Sequence, residues 1–259
     1  MLIQKMARTC VAVLLVLYLL LVPSVDGKAR PITTPGDGCL SRLNRGHETT
    51  LDKGKPVMFA GAMGGEGGRG TAVCDVAAPP RVVWKLLTDF EHYAGKLPNC
   101  KSCKVYSRSK NMVMRTERIK VHMQLDAVVR AFNCYYDHTY APDKNMLTWT
   151  LDPAHTSDFT DVQGQWYIEK HPSKKDCSRV WYTAEVALPP WLPAMMVKRL
   201  CNEAGNKSVG FVKKYAERDW EKEQASAGGM WAKMKALKEK AKAEMEAAAA
   251  MGKKVDGPN

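Results

Sequence analysis

Apolar and polar residues alternate along most of the chain between residues 57 and 188, and this alternation predicts β-strands. Two strand-like runs, Val57–Ala62 and Thr71–Val76, flank a glycine cluster from Gly64 to Gly70. The cluster lacks the Gly-Lys-Ser/Thr ending of a phosphate-binding loop and therefore predicts a hairpin tip. Short polar connections join the later runs, which predicts an antiparallel meander. Its six strand candidates lie at about 101–109, 112–125, 128–140, 146–151, 160–170 and 179–188.

One face of each predicted strand is apolar, because residues two positions apart point to the same side of a sheet. In candidate 112–125 the apolar positions change from even numbers at Met112 and Met114 to odd numbers from Ile119 onward. We expect a β-bulge near residues 116–118, without which Arg115 and Glu117 would face the interior. The predicted inward set is Val128, Phe132, Cys134, Tyr136, Leu147, Trp149, Leu151, Val162, Trp166, Ile168, Val180, Tyr182, Val186 and Leu188.

Helical patterns precede and follow the meander. Pro79 and Pro80 suit a first helical turn and Pro98 ends the segment, which predicts two short helices between them. A long helix is predicted from about Pro193 to Trp220. Residues 225–229 predict a break, after which a Lys-rich amphipathic helix begins. The apolar stripe expected on the long helix is Met196, Leu200, Ala204, Phe211, Val212 and Tyr215.

Two separated blocks of motifs point to a known family. The first contains Val83-Trp84, then Leu87-Thr88-Asp89-Phe90-Glu91, then Pro98-Asn99; the second contains Gly164-Gln165-Trp166, a Pro-Pro-Trp-Leu-Pro turn and Lys214-Tyr215-Ala216-Glu217. Over roughly Thr71 to Trp220, the chain resembles the coenzyme-Q-binding START-domain family, a branch of the polyketide-cyclase and lipid-transfer superfamily.

The resemblance implies an α+β helix-grip fold. In that fold an antiparallel sheet curves around a long C-terminal helix, two short helices follow the first strand, and a ligand cavity lies between sheet and helix. It does not imply a reaction. We therefore divide the chain into a START-like domain at 57–222, preceded by a flexible polar arm at 28–56 and followed by a basic amphipathic tail at 223–259.

The N-terminus has the pattern of a secretory signal peptide over residues 1–27. Lys5 and Arg8 precede an apolar run from Val11 to Val22, and Gly27 follows at a small-residue position. We expect the protein in the secretory pathway or secreted. The same segment is also compatible with the first part of a bipartite address into a plastid.

The chain is basic, with a formal net charge of +12 at pH 7. Charge alone names no partner. No basic stretch is interleaved with aromatics in a nucleic-acid-binding motif, so we expect no nucleic-acid partner. For the Lys-rich tail we expect a solvated or back-packed helix, with an anionic membrane surface as the alternative partner.

Motifs of metal or nucleophilic catalysis are missing from the sequence. Cys100 and Cys103 form a CxxC pair without the further ligands of a zinc site, and the six histidines show no HExxH pattern. No cofactor, metal ligand or catalytic residue is therefore predicted. Arg115, Glu117, Arg130 and His138 are the polar residues that the strand phases can place inside a cavity.

The predicted fold thus favours a protein that binds or carries an apolar ligand such as a lipid, sterol or quinone, and the quinone is what the resemblance alone implies. The alternatives are a cyclase-type enzyme acting on a polyketide-like or isoprenoid substrate, and a membrane-tethering protein that acts through its tail. We lean against an enzyme. The alternative to a ligand cavity is a core that the same inward-facing side chains fill completely. The expected ligand-binding residues are Phe132, Tyr136, Trp149, Trp166, Tyr182, Met196 and Leu200.

Overall fold

The structure is a computed structural model that describes residues 43–62, 68–126, 131–159, 161–187 and 194–252. The predicted signal peptide, most of the predicted arm and the glycine-rich hairpin tip lie outside these residues. The chain divides into two compact units, Met1–Glu217 and Arg218–Asn259.

The first unit is built on one eight-stranded antiparallel sheet, in the order β1-β2-β8-β7-β6-β5-β4-β3. The predicted meander is confirmed for β3 to β8, and β2 pairs with β8 at its far side. The strands are β1 (Val57–Ala62), β2 (Gly68–Val76), β3 (Cys100–Asn111), β4 (Thr116–Asp126), β5 (Ala131–Ala141), β6 (Met146–Leu151), β7 (Val162–Lys170) and β8 (Ser178–Val186).

Three α-helices accompany the sheet in the described residues: α1 (Arg45–Asp52), α2 (Pro80–Thr88) and α3 (Ala194–Gly252). A 3₁₀ helix at Phe90–His92 follows α2, so the two short helices predicted after β2 are confirmed. The sheet and the long C-terminal helix form the helix-grip architecture that the resemblance implied.

A hairpin turn, not a bulge, explains the change of phase near Met112. Strand β4 begins only at Thr116, and Arg115 adopts the left-handed φ of 50° that closes the turn. The predicted bulge at 116–118 is wrong, because the register shifts of this hairpin lie in β3, between Cys100 and Ser102 and between Val105 and Ser107.

Helix α3 is continuous through residues 225–229, so the predicted break is wrong. Gly228 and Gly229 each disfavour a helix by only about 1 kcal/mol relative to Ala. The surrounding Ala, Lys, Glu and Met residues are strong helix formers and outweigh that cost. Among the described helices, none is long and apolar enough to cross a bilayer.

The first turns of α3 run alongside β2 at very short distance. A Cβ added to Gly70 would lie 3.0 Å from the Cβ of Cys201, and one added to Gly205 would lie 3.2 Å from the Cβ of Ala72. Further along, the Cys74 thiol lies 4.0 Å from the carbonyl oxygen of Val209. Helix and strand therefore touch through small side chains over successive turns.

These contacts correct the stripe predicted for α3. Ala204 is exposed, whereas Cys201, Gly205, Val209 and Ala216 are buried. The buried stripe also contains Phe211 and Val212, as predicted. The side chains of Met196 and Leu200 lie outside the described part of the structure.

Helix α1 lies within the segment predicted to be a loose arm, and that prediction is wrong for residues 45–52. Asn44 caps the helix by accepting a hydrogen bond from the amide of His47, whose ring in turn accepts from the amide of Asn44. The single buried residue of the helix, Leu51, joins a core cluster with Val57, Val73 and Trp181.

Ion pairs through the buried guanidinium of Arg179 fasten α1 to the outer face of the sheet. The guanidinium of Arg179 donates to Asp75 at 2.8 Å and to Glu48 of α1 at 2.8 Å. The ring of His171 lies 2.9 Å from the same Asp75 carboxylate and accepts from the amide of Lys174. Asp75 is thus the acidic centre of this cluster.

We expect Asp75 to contribute to stability in a pH-dependent way. Burial raises the pKa of Asp75, but hydrogen bonds and charge from Arg179, with a further contribution from His171, outweigh it and lower the pKa. The contribution is therefore present above the unfolded-state pKa of about 3.9 and is lost as pH falls through the lower, folded-state pKa. Asp75→Asn should lower the free energy of unfolding at pH 7 by roughly 2–3 kcal/mol in urea titrations.

The control is Asp52→Asn, which removes the exposed pair of Asp52 with Lys174 on the same face and should cost less than about 1 kcal/mol. Asp75→Asn should also lose less stability than the wild type between pH 5 and pH 2. Equal losses in the free energy of unfolding for the two substitutions at pH 7 would contradict the role of Asp75 as the stabilising acidic centre of this cluster.

Candidate functional site

Aromatic side chains from four neighbouring strands form a continuous surface on the inner face of the sheet. We call this surface the aromatic wall and define it as Tyr136, His138, Trp149, Trp166 and Tyr182. Ring centroids are 6.0 Å apart for Tyr136 and His138, 6.2 Å for His138 and Trp149, 5.7 Å for Trp149 and Tyr182, and 4.6 Å for Trp166 and Tyr182. The wall thus runs without interruption from β5 to β8.

Strand register places these residues side by side. His138 pairs with Trp149 across β5 and β6, and Trp166 pairs with Tyr182 across β7 and β8. Period-two alternation puts all of them on one face, so the inward orientation predicted from sequence follows directly from the pairing.

Gly164 leaves room for the indole of Trp149 to lie across β7. It is the partner of Trp149 across β6 and β7, and a Cβ added to Gly164 would lie 2.1 Å from Cζ2 of Trp149 and 2.6 Å from the carbonyl oxygen of Thr183. Any larger residue would push the indole away. The absence of a side chain here allows Trp149 to reach Tyr182 on the second strand along.

The 3₁₀ helix covers the β5 end of the wall. The ring of Phe90 lies 4.4 Å from the ring of His138 and 5.0 Å from Tyr93, and Tyr93 lies 5.5 Å from Phe211 of α3. The Tyr93 hydroxyl donates to the carbonyl oxygen of Leu87 at 2.7 Å, which fixes this segment to α2.

The tyrosines of the wall are removed from bulk water but retain exposed surface. Burial raises the pKa of Tyr136 well above its ordinary value, and the charge of Cys134 and a hydrogen bond that the Tyr136 hydroxyl donates to Cys134 add to this effect. Burial likewise raises the pKa of Tyr182, while a hydrogen bond from Ser208 of α3 opposes it. Both side chains are nevertheless only half-buried.

His138 is the one ionisable imidazole in the wall. Burial lowers its pKa to about 3, against the opposing effects of the Ile119 carbonyl and Asp137, so the ring is neutral at physiological pH. Within the described part of the chain, its buried Nδ1 has no hydrogen-bond partner. The wall therefore contains a neutral polar atom whose hydrogen-bonding capacity is unused.

The structure brings four of the seven predicted site residues together: Tyr136, Trp149, Trp166 and Tyr182. Phe132 lies further along β5, where its ring stacks on Phe159 at 5.4 Å in a cluster that also contains Cys134.

Sequence reasoning missed Phe90, Tyr93 and Ser208 as residues that contact the wall or cover its end. Phe90 belonged to the helical pattern before Pro98 and to the motif Leu87-Thr88-Asp89-Phe90-Glu91, but neither signal placed it against the wall.

The cysteines of the described residues do not have the properties of a reactive site. The six cysteines of the described residues carry no disulfide, and burial raises the pKa of Cys100 to about 11 and, with the charge of Cys100, that of Cys103 to about 12. Such thiols are poor nucleophiles at neutral pH. In the described segments, no group of His, Cys, Asp and Glu side chains has the arrangement of a metal site.

Gly164→Ala should displace Trp149 and disrupt the wall. The new methyl group overlaps the indole and a backbone carbonyl, so we expect a loss of roughly 2–4 kcal/mol in the free energy of unfolding, the range of overpacking and strain combined. Near-UV circular dichroism should show a changed tryptophan signal. The matched control is Gly210→Ala in α3, where an added Cβ meets nothing within 4 Å and should stabilise by up to about 1 kcal/mol. Similar effects of the two substitutions would contradict the assigned packing.

Comparison with known proteins places the fold in a family. Residues 76–212 match the family model described as polyketide cyclase/dehydrase and lipid transport. The chain belongs to this family, as the sequence motifs predicted, and a lipid-binding or cyclase-type role follows at that level. A search of curated proteins found no match.

Several solved structures are similar in fold. The Zhui aromatase/cyclase from a Streptomyces species is 17% identical, with 58% of this chain and 93% of that chain covered and a TM-score of 0.45. A START superfamily protein from Mycobacterium smegmatis is 19% identical, with coverages of 58% and 97% and a TM-score of 0.48. A STAR-related lipid transfer protein from Xanthomonas axonopodis is 14% identical, with coverages of 62% and 93% and a TM-score of 0.48.

Proposed function

We propose that the protein binds one apolar small molecule between the aromatic wall and helix α3. The observation that carries the proposal is the aromatic wall, a continuous row of rings across four strands in which Tyr136 and Tyr182 retain accessible surface. Side chains on the inner face of a sheet that are not fully packed are expected around an enclosed space. Apolar pockets lined by aromatic residues are the usual form of small-molecule sites.

The width of the sheet supports the same proposal. Helix α3 lies along β2, whereas β5 is four strands away in the sheet order, a span of about 19 Å at 4.8 Å per strand. A helix with its side chains is only about 10–12 Å across. Helix α3 is therefore too narrow to cover the whole wall, and we place the ligand against the part of the wall that α3 leaves uncovered.

The wall and His138 together favour an apolar ligand that carries one polar group. Burial of the ligand should contribute about 0.8 kcal/mol per methylene. The other ring nitrogen of His138 donates to the Ile119 carbonyl, so the unpaired Nδ1 of the neutral ring is an acceptor. A hydroxyl on the ligand would donate to it, and leaving such an atom unpaired costs about 1–3 kcal/mol. Lipids and sterols with a free hydroxyl fit this description, and so does a quinone in its reduced, dihydroxy form. The resemblance to the coenzyme-Q-binding branch favours a quinone.

Binding is favoured over catalysis by the state of His138. A cyclase needs an acid or base whose pKa lies near the working pH. Burial lowers the pKa of His138 to about 3, which makes the free ring a weak base. The same neutral ring remains well suited to a hydrogen bond.

Calorimetric titration with a short-tailed ubiquinone tests the proposal. We expect saturable binding to the wild type with one site per chain. Trp149→Leu, which removes the central indole of the wall, should weaken binding at least tenfold, equivalent to the loss of about 1.4 kcal/mol.

Trp181→Leu is the matched control, because Trp181 lies in the cluster with Leu51 on the other face of the sheet. It should leave the affinity within about twofold while both variants remain folded by circular dichroism. Equal weakening by the two substitutions, or no saturable binding of the quinone or of an alcohol such as farnesol, would refute the proposed site.

A second proposal concerns the tail, because the apolar residues of its helix are exposed. In the second unit, Met230, Met234 and Leu237 recur at helical spacing and are 60%, 42% and 66% exposed. Lysines at 233, 235, 238 and 240 flank them. This combination favours an amphipathic helix that lies on an anionic bilayer.

Deletion of residues 230–259 should weaken binding of the protein to anionic vesicles. We expect co-sedimentation with vesicles containing phosphatidylserine to fall at least fivefold, because the deletion removes both the apolar stripe and the flanking lysines. Vesicles of phosphatidylcholine alone serve as the control, since they lack the negative charge. Sedimentation unchanged by the deletion would exclude the tail as a membrane contact.

A further inference from the structure

The tip of the β3–β4 hairpin presents three consecutive apolar side chains to solvent. Met112 is 81% exposed, Val113 94% and Met114 71%. Large apolar residues scattered singly on a surface are ordinary, but a contiguous exposed group indicates an interaction site. This group stands apart from the aromatic wall and from the tail.

The turn holds these side chains outward in a defined conformation. The side-chain oxygen of Asn111 accepts a hydrogen bond from the amide of Met114 at 2.9 Å. Arg115 closes the turn in the left-handed region and pairs with Asp143 at 3.1 Å. The apolar tip is therefore part of a formed hairpin.

A polar cleft of about 520 Å³ lies directly beside the tip. Its cations, hydroxyls and amide are the groups that bind phosphate in proteins. Arg118 is held in place by its Nε, which donates to Asp137 at 2.8 Å. The cleft is lined by Ser109, Lys110, Asn111, Met112, Thr116, Arg118 and Thr139.

The hairpin carries an excess of positive charge. Residues 100–120 contain seven basic side chains and one acidic side chain, Glu117. Asp137, Asp143 and Asp152 of neighbouring elements pair with Arg118, Arg115 and Lys120, so the excess that remains is three positive charges. Apolar side chains that project beyond a basic surface match an anionic bilayer, where the apolar groups enter the acyl region and the cations remain at the phosphates.

A protein partner fits the tip less well. A stable protein interface buries roughly 1,200–2,000 Å² in total, with an apolar core surrounded by a polar rim. Three side chains at the end of a narrow hairpin offer a point of insertion and not a face of that size. A bilayer, in contrast, needs no complementary shape.

We propose that the β3–β4 hairpin is a membrane-docking element, in which Met112, Val113 and Met114 insert into an anionic phospholipid surface and the adjacent cleft accepts a lipid phosphate. The proposal is independent of the ligand site and of the tail. It assigns the hairpin a role that the proposed ligand binding does not require.

The test measures partition of the full-length chain onto vesicles of phosphatidylserine and phosphatidylcholine by sedimentation. Replacing Met112, Val113 and Met114 together by Ser should lower the partition coefficient at least tenfold, because the change removes the inserting groups. Lys110→Gln should lower it about threefold on these vesicles and leave it unchanged on phosphatidylcholine alone, because it removes a cation that faces the lipid phosphates.

Met195→Ser is the matched control, since Met195 is 79% exposed on α3 and lies outside the hairpin. It should leave partition within twofold of the wild type. The substituted tip side chains are exposed, so the triple variant should keep the thermal midpoint of the wild type. A folded triple variant that partitions within twofold of the wild type would overturn the proposal, and so would an equal loss in Met195→Ser.

Discussion

The close approach between α3 and β2 is the contact on which the rest of the first unit depends. Helix residues four apart rise by about 6 Å, and strand residues two apart by about 6.6 Å, so the two rows of side chains keep nearly the same spacing. Gly70, Ala72 and Cys74 can therefore meet Cys201, Gly205 and Val209 in turn. Small residues on both sides fix the helix over this side of the sheet and leave the aromatic wall of β5 to β8 beyond it.

Much of the fold could be predicted from the sequence, because one-sided burial makes each strand alternate. Helix α1 could not, since its sequence Arg-Gly-His-Glu-Thr-Thr-Leu-Asp offers a single buried apolar residue, Leu51. Its position depends on a cap at Asn44 and on ion pairs through Arg179 with residues far away in sequence. The stripe of α3 was misplaced for a related reason, because Cys201 and Gly205 are buried by close packing and not by hydrophobicity.

The candidate site was predictable where large aromatic residues share a strand face, as Trp149, Trp166 and Tyr182 do. Distance along a strand was harder to judge, because Phe132 lies further along β5 in a cluster with Phe159 that the wall reaches only through Tyr136. The state of His138 could not be read from sequence at all. Its neutral ring results from the depth at which the sheet and Phe90 bury it, which only the assembled fold determines.

The central claim is that the space between the aromatic wall and α3 holds a guest molecule. Native mass spectrometry of the protein purified under mild conditions tests it most directly. The account predicts a population heavier than the bare chain by the mass of one organic molecule, which is released on denaturation and soluble in organic solvent. A protein that is reproducibly at its bare mass, and remains so after incubation with a membrane lipid extract, would contradict the account.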